Sequence, residues 1–194
     1  YRGVYVSASD ESSHEYTVPS DAGIPDCELA LSSDGTDLSG NGNDATIYGA
    51  TPVDSGMLLD GVNDTLVVPS FASAAQMSFV VRIKPTTFDT TKQRYVFQHD
   101  AFILHLGRTF THKCQLYLKI GGTHRGPWGS KAPQAGITTT FAFTYDGATV
   151  RWYADGELLG STAYAGSIDV LTSALTIGAG TDATIYDYPR IFSR

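Results

Sequence analysis

Residues 141–160, FAFTYDGATVRWYADGELLG, leave this chain few ways to fold. Phe141, Phe143 and Tyr145 alternate with Ala142 and Thr144, and Val150, Trp152 and Ala154 alternate with Arg151 and Tyr153. A period of two belongs to a strand with one buried face, because successive side chains leave a strand on opposite sides. Asp146-Gly147 and Asp155-Gly156 punctuate the run. Asp-Gly between alternating apolar segments predicts a type I′ hairpin turn, which demands positive φ at both central positions. Three strands joined by two such turns make a meander, and its apolar face has to be covered by further strands. The same alternation sends Trp152 to the core and Arg151 and Tyr153 to the opposite, polar face.

The rest of the chain supplies those strands. Short candidates lie at 27–31, 45–48, 77–83, 94–98, 101–106, 114–120, 175–177, 183–188 and 190–192, with two more inside 57–68 around Asp60-Gly61 and Asn63-Asp64, which read as another hairpin. Pro85 closes the 77–83 strand, since proline cannot donate to a ladder. In 114–120, Cys114, Leu116, Leu118 and Ile120 alternate with Gln115, Tyr117 and Lys119, giving a core face and a polar-aromatic face. Gly121-Gly122 ends that strand, and 123–136 reads as a loop carrying Trp128. Residues 1–26 are polar, rich in Ser and Asp, and read as an N-terminal arm or linker before a single domain at 27–194. No stretch sustains a 3.6-residue period. The expected fold is all-β, a two-sheet antiparallel jelly-roll sandwich.

Charge narrows the function classes. With 13 Lys+Arg against 20 Asp+Glu the net charge is −7, which argues against nucleic-acid binding. No apolar run is long enough for a bilayer span, so no membrane insertion is expected. Only four of the acidic residues are Glu, at 11, 15, 28 and 157; the rest are Asp, a residue of turns and of hard-cation sites. Cys27 and Cys114 lack metal-type spacing and are either buried thiols or a disulfide.

Several segments together resemble one family. DLSGNGNDATIYGA (37–50), MLLDGVNDTLVVP (57–69), MSFVVRIKP (77–85) and FAFTYDGATVRWYADGELLGS (141–161) with LTIGAG (175–180) are similar to the turn, hairpin, strand and meander motifs of laminin-G-like (LamG/pentraxin-type) jelly rolls, in the concanavalin A-like lectin/glucanase superfamily. The resemblance spans about 27–194 and consists mostly of core and turn residues, so it implies fold far more than function. Tyr188-Pro189 departs from the family's pattern, and the last strand is expected to be irregular.

The superfamily's enzymes imply signatures that can be sought. A glucanase needs paired carboxylates flanking the bond, and no E-x-D-x-E run occurs. A polysaccharide lyase of this fold implies an Arg motif, absent here, beside a Gln/His pair; Gln98-His99 and 117–119 resemble parts of that set, with His99 otherwise a solvated turn residue. There is no G-x-S-x-G elbow, phosphate loop or zinc-type histidine spacing. The chain is therefore read as non-catalytic. Laminin-G-like domains hold calcium through loop oxygens, and the resemblance implies Asp37, Asn43, Asp60 and Asp64 as ligands of a structural calcium, with Asp187 approaching from the last strand. Each of these also suits a plain turn cap. Sugar binding needs aromatic platforms beside hydrogen-bonding groups. Tyr117, Lys119, His124, Arg125 and Trp128 supply them, joined on one polar face by Tyr95, Arg151 and Tyr153 and flanked by His112 and Gln115. The expected function is recognition of a carbohydrate or cell-surface ligand by a module of a secreted or surface-displayed assembly. The alternative is a structural or decoration protein of a virion or surface layer, meeting neighbouring subunits through the sandwich and the arm.

Overall fold

A computed structural model of the chain describes residues 27–53, 56–86, 94–106, 114–126, 131, 133–178 and 184–193. The arm at 1–26 and the loop residues 107–113 and 127–130, with Trp128 and His112, lie outside the described residues.

Two antiparallel sheets face each other. The first contains β1 (Cys27–Ala30), β3 (Thr51–Val53), β4 (Gly56–Leu59), β6 (Met77–Pro85), β11 (Thr139–Tyr145), β12 (Thr149–Ala154), β13 (Glu157–Ala163) and β15 (Thr184–Ser193). Its order is β13-β12-β11-β6-β15-β4-β3, with β1 also paired to β15. The second contains β2 (Thr46–Tyr48), β5 (Thr65–Ala72), β7 (Arg94–His99), β8 (Phe102–Leu106), β9 (Cys114–Ile120), β10 (Thr123–Arg125) and β14 (Thr172–Ile177). Its order is β10-β9-β8-β7-β14-β5-β2.

The core forms where the inward positions of both sheets meet. Phe79 of β6 packs against Phe102 of β8 at 4.8 Å between ring centres and against Phe97 of β7 at 6.2 Å. Phe141, Phe143 and Leu175 are buried with them. Each large side chain so removed from water stabilises the fold by about 1.5–3 kcal/mol before chain entropy is counted. Trp152 joins this core, and its ring lies over Gly160, its cross-strand partner on β13.

The meander forms as the sequence predicts, but its two turns differ. At Asp155-Gly156, φ is 50° and 84°, the two-residue type I′ geometry, and Ala154 pairs with Glu157. At the first turn only Gly147 has positive φ, and Tyr145 pairs with Val150 across a longer loop. There Asp146 Oδ1 accepts the Ala148 and Thr149 N–H groups, so the side chain caps a wider turn in place of a left-handed backbone.

Three further expectations change. The 57–68 segment is not a hairpin, because β4 and β5 belong to different sheets and the Asp60–Asp64 turn carries the chain across the sandwich. Residues 123–125 are a strand and not the start of a loop, since Gly121 (φ 58°) and Gly122 (φ 77°) make a two-residue turn that pairs Thr123 with Ile120. The two final candidates are one strand, β15, with a register shift between Asp187 and Arg190 that places Tyr188-Pro189 at a bulge, a position where proline costs no ladder bond.

Candidate functional site

Alternation fixes what the seven-stranded sheet shows on its outer side. On β9, Leu116 and Leu118 are buried in the core, so Gln115, Tyr117 and Lys119 take the other side of the strand, where Tyr117 and Lys119 are half-buried and Gln115, expected to flank the site, is itself buried. Residues directly opposite in a ladder share a face. His124 of β10 is opposite Lys119, Ile103 of β8 is opposite Tyr117 and Gln98 of β7, and Thr176 of β14 is opposite Gln98. Lys119, His124, Ile103, Gln98 and Thr176 line a groove of about 580 Å³, together with His99, Asp100, Leu171 and Ala174.

Two devices hold the walls. Asp169 accepts the Gly121 and Gly122 N–H groups on its two carboxylate oxygens, at 2.8 and 2.9 Å, and pins the β9–β10 turn. At the β7–β8 turn, His99 lies under the groove, 3% exposed, with its ring stacked on Phe102 at 4.7 Å. Its Nδ1 accepts the Ala101 N–H at 3.1 Å, so Nε2 carries the hydrogen and donates to the Phe71 carbonyl at 3.0 Å. Burial lowers the His99 pKa, against weaker raising effects from the Phe71 carbonyl and Asp100. His99 is thus a buried structural imidazole, not the solvated turn residue the sequence suggested.

The structure brings together only part of the expected site. Lys119 and His124 meet in the groove, and Tyr117 flanks it, 5.4 Å from the His105 ring. Arg125 is opposite Leu118 and so belongs to the other side of β10, exposed at the sheet edge. Arg151 and Tyr153 were expected on the same polar face, and they are not. They project from β12 in the eight-stranded sheet, on the far side of the sandwich. Arg151 there pairs with Asp146 at 2.6 Å, and the Asp146 carboxyl is held down at about 2 by that hydrogen bond and by the Thr149 and Ala148 N–H groups. Gln98, Asp100, Ile103 and Thr176 complete the groove and were not singled out as ligand groups, because nothing local linked β7 to β14.

The four candidate calcium ligands serve as turn caps. Asp37 Oδ1 accepts the Ala30 and Ser39 N–H groups, and its Oδ2 accepts the Ser39 hydroxyl and the Asn43 N–H. Asn43 Nδ2 donates to the Glu28 carbonyl. Asp60 Oδ1 accepts the Val62 and Asn63 N–H groups, and Asp64 Oδ2 accepts the Asp60 N–H. A calcium ion needs six to eight oxygens turned toward it. The Asp37 oxygens are turned toward donors, so this set does not fit the ion as it stands. Among the described residues no three His, Cys, Asp or Glu side chains gather as a metal site, and the side chain of Asp187 is outside them.

Residues 60–190 match a laminin-G-type family model described as the concanavalin A-like lectin/glucanases superfamily. No curated protein matches the chain significantly in sequence. Among solved structures, domain 4 of an extracellular GH43 arabinanase from Geobacillus stearothermophilus, in complex with arabinotriose, superposes with a TM-score of 0.66 at 18% identity, covering 86% of this chain and 91% of that one. The carbohydrate-binding module CBM66 from Bacillus subtilis gives 0.52 at 9% identity, covering 77% and 95%. The Trypanosoma rangeli sialidase gives 0.57 at 16% identity over 84% of this chain but only 29% of its own. At these identities the likeness is one of fold.

Proposed function

The chain belongs to the laminin-G-type branch of the concanavalin A-like lectin/glucanases superfamily, and on that footing we propose that it is a non-catalytic carbohydrate-recognition module. The observation that carries this reading is the groove itself. Its walls offer an ammonium, an imidazole, an amide, a carboxylate and a hydroxyl from Lys119, His124, Gln98, Asp100 and Thr176, around the apolar Ile103. Sugars present hydroxyls around an apolar ring face, and such mixed linings orient them through several modest hydrogen bonds. The groove's described lining contains one carboxylate, Asp100, whereas glycoside hydrolysis uses two about 5–9.5 Å apart. The similar arabinanase domain and carbohydrate-binding module support the same reading by their fold. A module of this kind works outside the cell or on a displayed surface, next to other domains.

A glycan array probed with the intact chain tests the proposal. Binding to a defined glycan set, abolished by Lys119→Ala or Gln98→Ala in proteins that melt normally, is the expected result. Binding untouched by both substitutions would move the site elsewhere, and turnover of a bound glycan would overturn the non-catalytic role.

A further inference from the structure

The surface that carries the groove does not stop at β14. The same outer face continues across β5 and β2, and the ladder pairs set Ile103, Gln98, Thr176, Val67 and Thr46 in one row, each directly opposite the next. Leu66, Val68, Leu175 and Ile177, their neighbours along β5 and β14, are buried in the core, so the row is the outward one. It carries no charge, and the amide and hydroxyls of Gln98, Thr176 and Thr46 are interleaved with the apolar Ile103 and Val67. The ammonium at the groove's end is balanced. Lys119 has the Asp169 carboxylate at the Gly121-Gly122 turn on one side, and on the other Asp100, next to Ala101, whose carbonyl accepts the Lys119 N–H at 2.8 Å. Beyond the row stands Tyr48, 55% exposed, the one open Phe, Tyr or Trp side chain among the described residues. It is directly opposite Thr65 and diagonal to Val67 on the row's face, and a diagonal neighbour about 7–8 Å away is within reach of an aromatic ring. β2 is the edge of its sheet, so no strand lies beyond the ring. From β10 to β2 is six strand spacings, roughly 29 Å, which is room for several sugar rings in line.

We infer that the recognition surface runs from the groove to Tyr48 and takes an uncharged, linear oligosaccharide laid across the strands, with one of its rings stacked on Tyr48. This rests on the carbohydrate reading of the groove and specifies its ligand. An ionised sugar on this path would give up hydration and meet no unbalanced counter-charge. A neutral chain turns hydroxyl edges to Gln98, Thr176 and Thr46 and apolar ring faces to Ile103, Val67 and Tyr48. Each such contact is modest, so affinity has to accumulate along the chain. Tyr48 is the far subsite, and only an oligosaccharide long enough to cross β14 and β5 reaches it.

The intact chain is probed on an array of xylo-, cello- and manno-oligosaccharides from disaccharide to hexasaccharide, beside branched neutral glycans and 3′-sialyllactose, and the series that binds is titrated by calorimetry. The hexasaccharide is expected to bind at least about tenfold more tightly than the disaccharide, with little change at high salt, since no ion pair holds the ligand. Tyr48→Ala should weaken the hexasaccharide about tenfold, the worth of one aromatic contact, and leave the disaccharide and the melting temperature unchanged. Tyr48→Phe keeps the ring and should bind as the wild type does. A hexasaccharide no tighter than its disaccharide, a length dependence untouched by Tyr48→Ala, a Tyr48→Phe protein as weak as Tyr48→Ala, or a preference for branched or acidic glycans overturns this inference and leaves the carbohydrate reading standing. No binding to any glycan overturns both.

Discussion

Substituting Gly160 by Ala tests the packing of the meander with a single methyl group. An ideal Cβ at Gly160 would lie 2.4 Å from Trp152 Cζ2, 2.9 Å from Cε2 and 3.0 Å from Cη2. These approaches are far inside van der Waals contact, and the ring is only 8% exposed, so it has little room to retreat. Gly160 is not among the glycines with positive φ, so the backbone itself tolerates Ala and the effect is steric. Overpacking of this kind costs about 1–3 kcal/mol, offset by about 0.4–1 kcal/mol from the reduced freedom of the unfolded chain. The net loss is about 1–2 kcal/mol, or roughly 2–8 °C in Tm for a chain of this size. Trp152→Phe removes the ring atoms in question, so adding Gly160→Ala to it should cost at least about 1 kcal/mol less than in the wild type. Urea denaturation of the four proteins gives the cycle directly. If Gly160→Ala leaves stability unchanged or raises it, the Trp152 ring does not lie over Gly160 and the account of this core is wrong. Glycan binding should be unaffected, because β12 and β13 belong to the other sheet.

Further outcomes follow from the same geometry. His99 has a lowered pKa in the fold, so its contribution to stability is complete above the unfolded value of about 6.5 and declines as pH falls below it toward the folded value. The urea midpoint should drop between about pH 7.5 and 5, a slope that His99→Gln flattens, and a wild-type midpoint constant over that window would contradict the buried neutral ring. Asp34 and Asp146, held at about 2, weaken the fold only as pH falls below the ordinary carboxylate value of 3.8, and so leave that window clear. Asp37→Asn turns an NH₂ group toward donors that now bind a carboxylate, and should cost about 1–3 kcal/mol; a loss below about 0.5 kcal/mol would show that the cap is dispensable. Calcium should leave Tm unchanged, since the Asp37 oxygens already face donors, and a rise reversed by EDTA would reinstate the ion.

The sequence made the faces of individual strands legible and left their neighbours hidden. Strict alternation in β11, β12 and β9 placed Phe141, Trp152 and Leu116 inside and Arg151, Tyr117 and Lys119 outside, because a period of two is a local property of the chain. Which outward residues share a surface depends on sheet order, and that is set by pairings distant in sequence. Arg151 and Lys119 look alike as exposed cations on strands, yet they lie on opposite sides of the sandwich. The groove needs β7 beside β14, a pairing of Gln98 with Thr176 across 78 residues that no turn signal announces. Asp60–Asp64 carried a hairpin's residues but not its destination, since a turn that returns the chain to the same sheet and one that crosses to the other use the same Gly, Asn and Asp. His99 was misplaced for a related reason. It follows the outward Gln98 and therefore points in, where Phe102 of the next strand stacks on it and Phe71, from β5, covers it from a strand distant in sequence.

Chemical-shift mapping of the ¹⁵N-labelled chain with a glycan found on the array tests the central claim most directly. The account predicts that the largest shifts fall on Gln98, Asp100, Ile103, Lys119, His124 and Thr176, while Arg151 and Tyr153 stay unmoved. Shifts centred on Arg151 and Tyr153, with the groove silent, would place recognition on the other sheet and contradict it.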